Sequence, residues 1–122
     1  MPWSDRTTPI AEIAAAVHRF NEDRDWARYH CPRNMAMALC TEAAELLELY
    51  LWSADEGPQP PVAARTPQVA EEAADVLICL LALCDRAEID LAEAVQTKLA
   101  KNAQRYPVEK AHGRLEKASE LD

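Results

Sequence analysis

Two pairs of acidic residues interrupt stretches of the sequence that otherwise repeat apolar side chains at helical spacing. Positions 35, 39, 42, 46 and 49 follow one helix face, and position 42 is a glutamate, with Glu45 one turn further on. Positions 69, 72, 76, 80 and 83 follow another face, on which Glu72 stands and Asp75 comes three residues later. The sequence therefore places an acidic pair on each of two helix faces that should be apolar.

Carboxylates that share a buried face need a compensating charge, because desolvation and mutual repulsion both disfavour their ionised forms. Oxygen ligands without cysteine or histidine suit a hard divalent cation, and Mg²⁺ is usual where phosphates complete the coordination, with Mn²⁺ as a substitute. One such pair alone is most often a solvated face. Glu48 and Glu71 lie off the two stripes, and we expect both to be solvated. Two pairs on apolar stripes predict a metal site at Glu42, Glu45, Glu72 and Asp75.

Cationic and aromatic residues elsewhere suit the two ends of a nucleotide. Lys98, Asn102 and Arg105 or Tyr106 recur at helical spacing, a face that suits polyphosphate or is simply solvated, and Arg86 suits either a phosphate or a helix dipole. Trp26, His30 and Trp52 are candidates for a base pocket, although a tryptophan in a small bundle is more often core. No glycine-rich phosphate loop and no nucleophile–base pair occurs, which disfavours covalent catalysis.

Glycine is scarce and alanine abundant, which favours helices. The candidate residues must therefore be positioned mainly by helices. The first predicted helix has Thr8 as N-cap and Pro9 at its first position, with Ile10, Ile13, Val17 and Phe20 on its apolar face. A connection covers residues 21–34, and a proline-rich loop covers residues 53–66. The other predicted helices run from near Asn34 to about Trp52, from Pro67 with Thr66 as N-cap, and from the capping box Asp90-Leu-Ala-Glu93 to Pro107.

Composition limits the class of protein. The 122 residues suit a single all-α domain over residues 1–122, with a core at about residues 8–107 and a polar, flexible tail at 108–122. A net charge of −8 disfavours a nucleic acid partner. The longest apolar run, residues 76–84, is far short of the ~20 residues that span a membrane. The absence of a signal peptide and of paired cysteines predicts a cytoplasmic location.

The third helix is apolar nearly all round, more than a thin four-helix bundle can cover, so we expect a homo-oligomer to complete the fold.

Several short motifs, taken in order, resemble the all-α, MazG-like nucleoside triphosphate pyrophosphatases, and most of all their dCTP pyrophosphatase branch. They are Phe20-Asn-Glu-Asp-Arg-Asp-Trp26, His30-Cys-Pro-Arg-Asn34, Glu42-Ala-Ala-Glu45, Leu49-Tyr-Leu-Trp52, Glu71-Glu-Ala-Ala-Asp75, Ile89-Asp-Leu and Lys98-x-x-x-Asn102-x-x-Arg105-Tyr-Pro107. The resemblance covers about residues 10–107. The dCTP pyrophosphatase branch has a histidine near the base of its nucleotide substrate, and His18 lies one position away from the matching place in this sequence. The preferred base is therefore left open.

The resemblance implies Mg²⁺-dependent hydrolysis of a nucleoside triphosphate, such as dCTP or a modified dNTP, to the monophosphate and pyrophosphate. It also implies a homodimer or homotetramer. It carries metal binding and catalysis onto the four acidic residues, triphosphate contacts onto Arg86, Lys98, Asn102 and Tyr106, and base contacts onto Trp26, Trp52 and His30. Two alternatives stay open: a related pyrophosphohydrolase acting on another nucleotide such as phosphoribosyl-ATP, and a non-catalytic helical module that binds nucleotide or a partner.

Overall fold

Helices form all the regular structure in the part of the chain that the computed structural model describes, residues 2–51 and 66–121. The α-helices are α1 (Ile10–Asp23), α2 (Pro32–Glu48), α3 (Thr66–Arg86), α4 (Leu91–Arg105) and α5 (Val108–Ala111). Two 3₁₀ turns, Ala27–Tyr29 and Ala118–Glu120, complete them. These ranges contain no strand, so the all-α prediction is confirmed. None of the described helices combines the length and apolarity that a membrane crossing requires.

The chain divides into two compact units, Met1–Ile89 and Asp90–Asp122. In the first, α3 packs against α2 along much of its length and against α1 as well. The second contains α4, α5 and the last 3₁₀ turn. The single domain over residues 1–122 and the homo-oligomer stay predictions, as does the flexibility of residues 108–122, which include α5.

The end of α1 positions the first aromatic candidate. Asp25 has φ 54°, in the left-handed region, and the Trp26 N–H donates to the Asn21 carbonyl at 3.0 Å. The Asp25 N–H donates to the Glu22 carbonyl at 3.0 Å, which completes a Schellman motif without glycine. The predicted connection at residues 21–34 was therefore wrong at its start, because α1 continues to Asp23.

Other predicted boundaries differ from the structure by a few residues. Thr8 is not the N-cap of α1: Pro9 takes that position without a side-chain cap, while the Thr8 hydroxyl accepts the Ser4 N–H. Helix α2 begins at Pro32 and ends at Glu48, short of the predicted Trp52, which lies outside the described residues together with the loop at 53–65. Thr66 is the first residue of α3 rather than its cap. Helix α4 ends at Arg105 instead of Pro107, but its predicted cap is confirmed, since Asp90 Oδ1 accepts the Glu93 N–H at 3.1 Å.

The core lies where α3 meets its neighbours. Its buried apolar residues, among those described, are Met35, Leu81, Ala82 and Cys84. The stripe predicted for α3 from Val69 to Leu83 is only half-buried. Because α3 packs against both α1 and α2, its deepest residues lie between the two contacts instead of along one stripe.

Candidate active site

Three of the four predicted acidic ligands come together between α2 and α3. One carboxylate oxygen from each of Glu42, Glu45 and Glu72 lies within 4.8 Å of the other two. Glu42 and Glu45 are one turn apart on α2, and Glu72 faces them from α3. Because α3 packs mainly against α2, the interrupted stripes of the two helices meet.

The cluster is partly shielded from solvent. Glu42 and Glu72 are half-buried, and Oε2 of each is inaccessible to solvent and lacks a hydrogen-bond partner among the described residues. Buried polar atoms are nearly always paired, so two orphaned carboxylate oxygens in one cluster need an explanation. A bound cation is one, because it would coordinate the oxygens that the protein leaves unpaired.

Electrostatics supports the same interpretation. Burial is the largest cause that raises the pKa of Glu42 above its ordinary value of 4.5, and the neighbouring Glu45 adds to it. Burial likewise raises the pKa of Glu72, followed by the charge of Glu45. Asp75, the fourth predicted ligand, is exposed and outside the 4.8 Å group, but its charge also raises the pKa of both residues. The four carboxylates thus form one electrostatic unit that disfavours its own full ionisation.

A cavity of about 280 Å³ opens beside the cluster, close to the size range of small-molecule sites. Glu42 and Asp75 form its acidic side. The remaining walls come from Phe20, Asn21, Trp26, His30, Met35, Ile78, Cys79 and Ala82. The structure therefore brings Trp26 and His30, both predicted to contact a base, into one cavity with two of the predicted metal ligands.

Trp26 is held at the cavity by local structure. Its ring meets that of Phe20 edge-on, with centroids 5.8 Å apart and planes at 71°, and it remains 47% exposed. A ring so exposed is not a core residue, so its apolar surface is free to contact a ligand. The turn that follows is fixed at both ends, because the Tyr29 N–H donates to the Trp26 carbonyl and Asn34 Nδ2 donates to the Tyr29 carbonyl, both at 2.9 Å.

Arg86 lies in a small neighbouring cleft instead of the acidic cavity. Its Nε donates to the His30 carbonyl at 3.0 Å, and the cleft also contains His18 and Asp85. His18 Nδ1 and Asp85 Oδ2 are 2.9 Å apart, and this hydrogen bond is the main cause that raises the pKa of His18 above 6.5. Arg86 thus ties α3 to the segment that bears His30, and its contact with phosphate stays a prediction.

The candidates on α4 belong to the second compact unit. Lys98 is exposed and Asn102 half-buried, one turn apart on α4. Tyr106 caps the helix, with its N–H donating to the Asn102 carbonyl at 2.8 Å. Lys98 also lines a shallow surface cleft with Lys101 and the acidic Asp90 and Glu93. The predicted triphosphate contacts of these residues stay predictions.

Several residues of the cavity are absent from the predicted site. Asn21 was assigned to a connection, although it continues the α1 spacing of Ile13 and Val17 and could have been found as a polar residue on an apolar face. Cys79 was not predicted to belong to the site. It is half-buried in the cavity wall, and burial, aided by the charges of Glu42 and Asp75, raises its pKa above 9.0.

Comparison with known proteins places this all-α protein in a family. The sequence profile of the MazG-like family matches residues 37–121. The chain is 39% identical to dCTP pyrophosphatase 1 of Bos taurus, over 98% of this chain and 73% of that protein. It is 40% identical to dCTP pyrophosphatase 1 of Homo sapiens, over 93% of this chain and 68% of that protein.

A solved structure agrees. The fold is similar to that of a pyrophosphatase from Archaeoglobus fulgidus, with a TM-score of 0.74 and 39% identity over 87% of this chain and 99% of that one. Fold and acidic cluster define a helical protein with paired carboxylates on two packed helices. The chain belongs to the MazG-like family.

Proposed function

We propose that this protein is a Mg²⁺-dependent nucleoside triphosphate pyrophosphohydrolase that converts dCTP, or a related or modified dNTP, to the monophosphate and pyrophosphate. The observation that carries the proposal is the acidic cluster with two orphaned carboxylate oxygens beside a cavity lined by an exposed tryptophan. The proteins it resembles at about 40% identity are named dCTP pyrophosphatase.

Glu42, Glu45, Glu72 and Asp75 would hold the cation. Their oxygens are the ligand type that Mg²⁺ prefers, and the unpaired Oε2 atoms of Glu42 and Glu72 fit that role. Bound Mg²⁺ supplies neutralisation of phosphate charge and a lowered pKa for a water molecule. Mn²⁺ offers the same chemistry to an all-oxygen site, so we expect it to substitute.

The protein's own side chains orient substrate and water around that centre. Glu45 is the exposed member of the 4.8 Å group, so its carboxylate is the one best able to orient or deprotonate the attacking water. Trp26 stacks on the base, and His30 lines the same cavity. Water oxygen then bonds to the α-phosphorus as the bond to the leaving pyrophosphate breaks. Arg86, Lys98, Asn102 and Tyr106 are assigned to the triphosphate by family resemblance.

The proposal includes a homo-oligomer in the cytoplasm. Large apolar side chains remain more than half exposed within each unit: Met37 at 60% and Leu47 at 59% on α2 in the first, and Leu99 at 63% on α4 in the second. A second copy would bury exposed side chains of this kind. All four cysteines are free, as in proteins of reducing compartments. Light scattering at several protein concentrations should give the mass of a dimer or a tetramer. The mass of a monomer at every concentration would contradict the proposed homo-oligomer.

The test is release of pyrophosphate from a panel of ribo- and deoxynucleoside triphosphates and phosphoribosyl-ATP, with Mg²⁺ and with EDTA. We expect Mg²⁺-dependent release, fastest with dCTP or a modified deoxycytidine nucleotide. The matched variants are Glu42→Gln, expected to be inactive, and Glu48→Gln, which removes an exposed charge from the same helix and should keep activity. Preference for phosphoribosyl-ATP would favour the related pyrophosphohydrolase, and nucleotide binding without release would favour the non-catalytic module.

A further inference from the structure

Asn21 is the one polar residue among the described ones that is buried, at 9% exposure. Its side-chain amide offers two donor hydrogens and an acceptor oxygen, yet makes no hydrogen bond with the residues of 2–51 and 66–121. The solvent-inaccessible unpaired atoms of the described residues are Oε2 of Glu42 and of Glu72, so the amide atoms of Asn21 are not sealed off and can still meet a molecule that enters beside them. Asn21 lines both the small cleft that contains His18 and Arg86, which has about 10 Å³, and the cavity of about 280 Å³ beside the acidic cluster. Of the two, the larger cavity has room for a ligand bigger than water, so a ligand there is the partner that we consider for the amide.

The backbone of Asn21 is fixed relative to Trp26. The Asn21 carbonyl accepts the Trp26 N–H at 3.0 Å in the Schellman motif that ends α1. Phe20, which precedes Asn21, contacts the Trp26 ring edge-on. One short turn therefore carries both an aromatic face and an unpaired amide into the same cavity.

These two groups differ in what they can recognise. An indole stacks on the face of any base and distinguishes bases poorly, whereas an amide binds an edge where a donor and an acceptor stand side by side. Met35, Ile78 and Ala82, which share the cavity wall, offer no such groups, and its carboxylates Glu42 and Asp75 are assigned to the cation. His30 lines the same cavity, but each of its ring nitrogens can only donate or only accept, whereas the Asn21 amide offers a donor and an acceptor side by side. Recognition of a donor–acceptor edge of the base is therefore assigned to Asn21.

We propose that Asn21 is a specificity-determining residue whose side-chain amide binds the donor–acceptor edge of the substrate base while Trp26 stacks on its face. For cytosine this edge is the 4-amino group, which donates to Asn21 Oδ1, and N3, which accepts from Asn21 Nδ2. The inference rests on the proposed function, because it assumes that the cavity holds the base of the nucleotide.

The experiment compares dCTP with the triphosphate of the matching pyrimidin-2-one deoxynucleoside, which lacks only the 4-amino group. In the wild type, the analogue should lose about 10- to 100-fold in kcat/KM, since its binding leaves the amide oxygen unpaired. Asn21→Leu should lose a similar factor with dCTP, mainly in KM, and should treat the two substrates within about twofold of each other. If Asn21 had a merely structural role, its replacement would lower kcat/KM for both substrates equally and preserve the ratio of the two values. That result would overturn the proposal.

Two further measurements keep the result decisive. Asn21→Asp has the same shape but places an acceptor against N3, which both substrates have, so kcat/KM should fall for both. Its charged oxygen accepts from the 4-amino group more strongly than an amide oxygen does, so the preference for dCTP over the analogue should increase, and this variant replaces the leucine variant if that protein does not fold. If the proposed function is wrong, the wild-type protein will release pyrophosphate from none of the nucleotides, which is a different result from an unchanged substrate ratio. In that case, binding of deoxycytidine and of its pyrimidin-2-one analogue, measured by tryptophan fluorescence, decides the role of Asn21: equal affinities in the wild type would overturn it.

Discussion

Replacing Glu72 by glutamine should stabilise the metal-free protein and abolish turnover. Burial and the charge of Glu45 raise the pKa of Glu72, so ionisation of this carboxyl disfavours the folded state. The folded-state pKa lies above the ordinary 4.5, and the stability contributed by the protonated form is therefore lost as pH rises through that raised value. At pH 7.5 without metal, Glu72→Gln, which keeps the volume and removes the charge, should melt at or above the wild-type temperature.

Mg²⁺ should reverse that order. A cation at 100 times its Kd stabilises the folded state by about 2.7 kcal/mol, or roughly 10 °C for a chain of this length. If the substitution weakens binding about 100-fold, the same concentration gives only about 0.4 kcal/mol, or roughly 2 °C. Turnover with Mg²⁺ should fall at least ~100-fold, because the cation that would activate water and neutralise phosphate would be lost or misplaced.

Thermal melts in EDTA and in Mg²⁺, together with pyrophosphate release, measure these effects. Glu48→Gln is the control, since this exposed carboxylate should change neither the Mg²⁺ response nor turnover. An active Glu72→Gln protein, or one that melts well below the wild type in EDTA, would mean that Glu72 belongs to a structural ion pair. The metal-site interpretation of both helices would then have to be abandoned.

Three other results are expected. Affinity for Mg²⁺, measured by calorimetry between pH 5 and pH 8, should rise with pH as the raised-pKa carboxyls of Glu42 and Glu72 lose their protons, and a pH-independent affinity would contradict the shared site. Trp26→Ala should weaken nucleotide binding by ~1–3 kcal/mol while Trp3→Ala, outside that cavity, leaves it unchanged; a wild-type KM in the first variant would refute the stacking role. Glu88→Gly should stabilise the protein by about 1 kcal/mol in urea unfolding, because φ at Glu88 is 56°, whereas Glu93→Gly on α4 should not stabilise it.

The acidic cluster could be predicted from the sequence because carboxylates on apolar stripes violate a strong rule. Glu42 and Glu72 stood out for that reason, and the packing of α3 on α2 then brings them together with Glu45. The start of α4 could also be predicted, since Asp90 and Glu93 form a standard capping pattern and the Glu93 N–H donates to Asp90 Oδ1 in the structure.

Helix ends without conventional signals could not be predicted as well. The chain ends α1 and α3 with Schellman motifs in which Asp25 and Glu88 occupy the position usually held by glycine. Without a glycine after Asp23, the end of α1 was misplaced, and Asn21 was missed as a cavity residue. The cleft that contains Arg86 was also out of reach, because the bond from Arg86 to the His30 carbonyl depends on tertiary packing between distant segments.

The central claim is that water attacks the α-phosphorus of a nucleoside triphosphate at the Glu42–Glu45–Glu72 cluster. Hydrolysis of dCTP in ¹⁸O-labelled water with Mg²⁺, followed by mass spectrometry of the products, tests it most directly. We expect dCMP that carries one ¹⁸O, unlabelled pyrophosphate, and no product from Glu42→Gln. Release of dCDP with labelled phosphate, label in the pyrophosphate, or undiminished turnover by Glu42→Gln would contradict it.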